Sequence, residues 1–213
     1  MDQIYAISQN SALEFKTHHP HFGGKIFDLR LPATALKTSQ RPAQESILLS
    51  IASMEPRKNL DAVLDGFETF LALHPSSPLK LVLAGATGWR NETVYHRIRK
   101  SWIADRIQIV GFTSEEKLAE LILSAQAVIL LAHHEGYGLP IAQALAAGIP
   151  AITTLGSSLP EASQGEAVFV DPSDPVSIAA GIALIQSPDF KKPARPHENW
   201  NTYTKSLLQS IFS

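Results

Sequence analysis

Three short stretches of this sequence carry residues whose types and spacing can do chemistry. The first, His134-Glu135-Gly136-Tyr137-Gly138-Leu139-Pro140, runs from an apolar segment into a helical pattern. Gly136 and Gly138 let the backbone pass close to a ligand. A helix beginning there presents free N–H groups with partial positive charge, which suits a phosphate. Glu135 before the helix and Gln143 in its first turns can face one ligand, although a glycine pair at this place is equally compatible with a simple turn. The second stretch, Ser53-Met54-Glu55-Pro56-Arg57-Lys58-Asn59, sets two cations ahead of a helix. The helix dipole favours acids at that end, so Arg57 and Lys58 together point to a bound anion. In the third, Val110-Gly111-Phe112-Thr113, exposed backbone at Gly111 beside the Phe112 ring suits a flat base. Taken alone, Phe112 reads as a core residue more readily than as a base platform.

The elements that must hold these stretches alternate along the chain. Ile47 to Ala52, Leu79 to Leu83, Ile107 to Val110, Ala127 to Leu131, Ala151 to Thr153 and Ala167 to Val170 are short apolar runs bounded by Gly, Pro or polar residues. They read as buried parallel strands. Leu60, Val63, Leu64, Phe67 and Leu71 fall at helical spacing behind Asn59, a suitable N-cap. Ser114-Glu115-Glu116-Lys117 opens a second helix, Pro140 takes the first position of a third, and Ile178, Ile182 and Ile185 mark a fourth. Strands alternating with helices predict an α/β fold with a doubly wound, mainly parallel, Rossmann-like sheet, whose ligands bind beyond the carboxyl ends of the strands. The expected organisation is a first segment over residues 1–44, a Rossmann-like domain over 45–190, and a linker with a terminal helix over 191–213. Thr38 to Gln44 and Lys191 to Pro196 read as linkers.

Composition narrows the classes. The 213 residues are 45% hydrophobic and 18% charged, with net charge −2, which fits a globular domain and argues against a nucleic-acid-binding face. There is no Cys, hence no disulfide, thiolate nucleophile or Cys-based zinc site; this fits a reducing compartment, and a cytoplasmic location is the expectation. His133 and His134 have no third ligand at hand, so no metal is expected.

Taken in order, the motifs resemble the C-terminal, donor-binding domain of the group 1 retaining glycosyltransferases (family 4, GT-B fold). The resemblance covers roughly residues 45 to 212. It rests on Glu55-Pro56-Arg57-Lys58-Asn59-Leu60, Leu81-Val82-Leu83-Ala84-Gly85 with Gly88-Trp89, and Ile109-Val110-Gly111-Phe112. Glu135-Gly136-Tyr137-Gly138-Leu139-Pro140, Gly148-Ile149-Pro150-Ala151-Ile152, Ser157-Ser158-Leu159-Pro160-Glu161 and Val170-Asp171-Pro172 follow. The resemblance implies transfer of a hexosyl group from a GDP- or UDP-sugar to a glycan or lipid-linked acceptor with retention, without a metal or other cofactor. Arg57 and Lys58 would stabilise the leaving diphosphate, with Glu135 near the transferred sugar as the third catalytic residue. Gly136, Tyr137, Gly138, Leu139, Gln143, Gly111 and Phe112 would bind the donor. Gln143 departs from the family, which has a second Glu there to hold the ribose hydroxyls; an amide still accepts a hydrogen bond but lacks the charge.

The resemblance also implies that the acceptor domain is missing, Ile4 to Ser8 being the end of it. It would come from other sequence or a partner chain, and would dock on a face carrying Trp200 and Tyr203. A second copy of this chain is another candidate for that face, and any contact with a membrane would be peripheral, through the acceptor. The competing reading is a non-catalytic nucleotide-sugar-binding or partner-binding module. A nucleotide-sugar epimerase fits the Glu135 motif less well, and a dehydrogenase lacks Gly-x-Gly-x-x-Gly after the first strand.

Overall fold

A computed structural model describes residues 2–29, 31–33, 36, 42–89, 91–193 and 200–212. Six strands form one parallel sheet: β3 (Ile47–Ile51), β4 (Lys80–Ala84), β5 (Ile107–Gly111), β6 (Ala127–Leu130), β7 (Ala151–Thr153) and β8 (Val168–Phe169). Their order is β5-β4-β3-β6-β7-β8. The chain builds outward from β3 to β5 and then returns to lay β6 against the other side of β3, so the winding reverses between these two strands. Ligands of such sheets collect at this reversal, beyond the carboxyl ends of the strands. β3 and β6 are in register at Leu48 with Ala127 and Leu49 with Val128. All four residues of β6 are buried, as expected of a strand covered on both faces.

Ahead of this sheet, β1 (Gln3–Ala6) and β2 (Lys25–Asp28) form a separate parallel pair joined through α1 (Gln9–His18). The helices of the main domain are α2 (Leu60–Leu73), α3 (Glu92–Lys100), α4 (Glu115–Ser124), α5 (Leu139–Ala146), α6 (Leu159–Ser163) and α7 (Pro175–Ile185), with α8 (Trp200–Phe212) closing the chain. α2 buries Leu60, Val63, Leu64, Phe67, Phe70 and Leu71, the stripe its sequence spacing predicts. It packs against α7, where Ile178 and Ile182 are fully buried. The two axes approach closely because position 66 carries no side chain: a Cβ there would stand 2.2 Å from Ile178 Cγ2.

The six strand expectations of the main sheet fall on strands with ends shifted by a residue or two. Ser114 caps α4 by accepting from the Lys117 N–H at 3.2 Å. Pro140 occupies the second position of α5 rather than the first. Asn59 stands before α2, but its side chain makes no capping bond. Four elements were not anticipated: α1, β2, α3 and α6. Among them α1 buries only Ala12, and α3 only Val94 and Ile98, so neither shows an apolar stripe in sequence. α3 is held instead by Arg97, which pairs with Asp61 at 3.1 Å and with Asp65, both on α2. The expected linker residues 38–41 and 194–196, and the side chain of Trp200, lie outside the described residues. Tyr203 is half-buried.

Replacing a helix-interior glycine by alanine ordinarily stabilises a protein by about 0.5–1 kcal/mol. At Gly66 the contact with Ile178 reverses the sign. Gly66→Ala is expected to lower the unfolding free energy by about 1–3 kcal/mol, through overpacking, in urea titrations of the chain.

Candidate functional site

The loops that follow β3 and β6 meet at the reversal of the sheet. After β3 the chain makes a short 3-10 helix, Pro56–Lys58, and Asn59 then adopts a left-handed conformation (φ 53°) before α2 begins. Asn and Asp tolerate that region better than other residues with a Cβ. The Asn59 amide, free of any capping duty, donates to the Leu131 carbonyl at 3.1 Å. The His133 N–H donates to the Arg57 carbonyl at 2.9 Å. These two bonds sew the β3 loop to the β6 loop and bring side chains 77 positions apart into contact.

Lys58 Nζ lies 2.5 Å from Glu135 Oε1, and Arg57 Nη1 lies 3.7 Å from Glu135 Oε2. The Lys58 and Glu135 side chains are 13% and 12% exposed, whereas Arg57 is 40% exposed. Arg57 is further fixed by donating to the His134 carbonyl at 2.9 Å and to Glu55 Oε1 at 2.8 Å. Sequence reasoning selected Arg57, Lys58 and Glu135, and the fold assembles all three. Glu55 completes the cluster. The Ser53 hydroxyl, donating at 2.6 Å, holds its carboxyl below the ordinary range, with help from the Arg57 charge and the Trp89 indole and against an opposing effect of burial.

The main chain of Glu135 is clamped from the opposite side. Its N–H donates to Ser157 Oγ at 2.9 Å, and its carbonyl accepts from the hydroxyls of Ser157 and Ser158, each at 2.8 Å. Gly138 then turns the chain into α5 at φ 103°, against α6: a Cβ there would stand 2.9 Å from Leu159 Cδ2. The N-terminal segment reaches the same loop. Ser11 Oγ donates to the Gly136 carbonyl at 3.1 Å, and Glu161 accepts the Gln9 N–H at 2.9 and 3.0 Å. Glu55, Ser157, Ser158 and Glu161 were not selected as site residues from sequence. Only their motif neighbours pointed to them, because hydroxyls and carboxylates in loops show their partners after folding.

The other selected residues are distributed around this centre. Leu139 is exposed and Gln143 half-buried on α5. Gly111 ends β5, two strands from β3, with φ 75°. Phe112 is 85% exposed, which overturns its reading as a core residue. Tyr137 is only 3% exposed, its ring packed in a small cluster with Ala33, Ala142, Ala146 and Ala162. A cavity of about 540 Å³ opens beyond the carboxyl ends of β6, β7 and β8, walled by Ala132, His133, Leu155 and Phe169 among others. None of the selected residues lines it. Among the described residues no group of three or more His, Asp or Glu could hold a metal ion, and no helix is long and apolar enough to cross a membrane.

A doubly wound parallel sheet, with two cations and a carboxylate at the point of reversal, defines a Rossmann-like domain of the kind found as one half of a GT-B enzyme. The chain belongs to the glycosyl transferases group 1 family, whose profile matches residues 34–203. It is 30% identical over 155 residues to the O-antigen chain mannosyltransferase B of Escherichia coli, covering 72% of this chain and 40% of that protein. The chain thus spans less than half the length of that relative. Among solved structures, sucrose-phosphate synthase from Thermosynechococcus elongatus superposes with a TM-score of 0.77 at 18% identity, over 99% of this chain and 58% of that one. The pneumococcal O-GlcNAc transferase GtfA, solved with UDP and GlcNAc, superposes with a TM-score of 0.67 at 16% identity, over 87% of this chain and 38% of that one. At these identities the likeness is one of fold.

Because the folded-state carboxyl of Glu55 is held below its ordinary value of 4.5, its contribution to stability is present above that value and lost as pH falls through the folded-state value. Ser53→Ala removes the largest cause. The variant is expected to be less stable than wild type in urea at neutral pH, with the gap closing as the pH falls below the ordinary carboxylate value and Glu55 becomes protonated in both.

Proposed function

We propose that this chain binds a nucleoside diphosphate sugar at the reversal of its sheet and supplies the donor-binding half of a hexosyltransferase. The single observation that carries the reading is the meeting of Arg57, Lys58 and Glu135 across β3 and β6. As the glycosidic bond breaks, negative charge grows on the leaving diphosphate. Cations aimed at that charge stabilise the transition state more than the ground state, and no metal is required for it. Glu135, on the α5 side of the cations, would hold hydroxyls of the transferred sugar. The start of α5 behind Gly138 adds the partial positive charge of the helix dipole toward the phosphates. Phe112, exposed at the end of β5, offers a flat face to the base.

Residues 45–190 are the donor domain in this reading, and the segment 1–44 belongs with the acceptor side. The acceptor, a glycan or a lipid-linked sugar, would be held by sequence beyond this chain or by a partner chain. Support for a hexose comes from the mannosyltransferase relative, and the GDP- or UDP-sugar donor and retention follow the family resemblance. A second reading, a non-catalytic module that binds nucleotide sugar, is favoured by one observation. Gln143 stands where the family places a carboxylate, which removes a charge-assisted contact to the ribose.

Calorimetric titration of the chain with UDP, GDP and ADP, without metal, tests the donor site. Arg57→Ala or Lys58→Ala is expected to weaken nucleoside diphosphate binding roughly ten- to a hundredfold, the loss of one charge-assisted contact of about 1.5–3 kcal/mol. Binding of the nucleoside alone is expected to change little. Equal losses for both ligands would sink the diphosphate assignment.

A further inference from the structure

We infer that Glu135 is a built-in counter-ion for the diphosphate-binding cations, and that it sets the preference of the site for a sugar-bearing donor over the bare nucleoside diphosphate. The inference rests on the donor-site reading above and adds to it a basis for discrimination. Both cations are already paired with protein groups, while Lys58 keeps two further N–H donors and Arg57 is 40% exposed. Glu135 takes Lys58 at 2.5 Å, while Glu55 and the His134 carbonyl take Arg57 at 2.8 and 2.9 Å. Two cations and two carboxylates give the cluster a formal charge of zero. A diphosphate entering it meets a neutral cluster and must share Lys58 with Glu135, so the carboxylate stands beside the phosphates.

Glu135 cannot withdraw far. Its N–H and carbonyl are both held by Ser157 and Ser158, so displacement means a rotation of the side chain about a fixed backbone. The carboxylate therefore stays close to the incoming phosphates. Beside Lys58 it is only 12% exposed, so water solvates it poorly and the like charges repel. A sugar on the β-phosphate changes this balance. Its hydroxyls donate to the carboxylate and offset that repulsion. A bare nucleoside diphosphate brings no such donors. The same asymmetry operates after transfer: once the sugar has left, nothing offsets the repulsion from Glu135, which loosens the hold on the diphosphate product.

The test is calorimetric titration of the full chain, wild type and Glu135→Gln, with UDP, GDP and their hexose-bearing forms. The amide keeps the shape of the side chain and removes the charge. Nucleoside diphosphate is expected to bind Glu135→Gln about tenfold more tightly than wild type, as expected on removing a like charge beside a bound anion. The sugar-bearing form is expected to gain less or to lose, so the affinity ratio between the two ligands shrinks. Equal tightening of both ligands would reduce Glu135 to a general electrostatic influence and overturn the discrimination. Unchanged or weaker binding of the diphosphate would overturn the counter-ion role. If the melting curve shows that Glu135→Gln does not fold, Glu135→Ala removes the same charge with a smaller side chain and is read in the same way. The two levels of the argument separate through Lys58→Ala. Diphosphate binding that this variant weakens, with no tightening in Glu135→Gln, overturns the counter-ion alone. No binding of any diphosphate to wild type overturns the donor site and the counter-ion together.

Discussion

The site depends on the parallel pairing of β3 with β6 at the centre of the sheet. Leu48 with Ala127 and Leu49 with Val128 set the register, and both strands are buried along nearly their whole length. With that register fixed, the two strands end side by side and their loops must leave the sheet together. The bonds from His133 N–H to the Arg57 carbonyl and from the Asn59 amide to the Leu131 carbonyl continue the pairing beyond the last ladder residues. A slip of the register would separate Lys58 from Glu135, so the hydrophobic core of the sheet also serves as the alignment of the charged cluster.

Around that centre, backbone positions are fixed by polar groups that do not face a ligand. Asn59 gives up the usual capping role of its side chain, accepts a left-handed conformation, and joins the two loops instead. Ser157, itself at φ 57°, clamps the main chain of Glu135 through a pair of hydrogen bonds. The backbone beneath the charged side chains is thus held by hydrogen bonds of its own. The N-terminal segment adds a second contact, through Ser11 to Gly136 and Glu161 to the start of α1. The loop carrying Glu135 is thus held between two parts of the chain.

How much of this was legible in the sequence varied with the physics of each element. The strands of the main sheet, α2 and α7 are apolar runs or stripes, and burial is written directly into such patterns. α1, with one buried residue, and α3, with two, lack that signal; they are held by caps and ion pairs whose partners lie far along the chain. Phe112 shows the limit of composition-based reasoning. An aromatic residue at a strand end resembles core, yet it stands 85% exposed because the chain leaves the edge strand β5 there. Tyr137 went the other way, into a pocket of alanines.

The sequence by itself determined the fold class, because hydrophobic period and turn residues are local properties, and its motifs in their order resemble the family whose profile it matches. It also selected Arg57 and Lys58, since cations ahead of a helix conflict with the dipole unless something anionic meets them, and Glu135 through its place in the glycine loop before a helix. Only the tertiary structure decided that the first such anion is Glu135 itself, 2.5 Å from Lys58. Residues 77 positions apart come into contact only where the sheet reverses, and strand order depends on long-range packing that a local pattern does not specify.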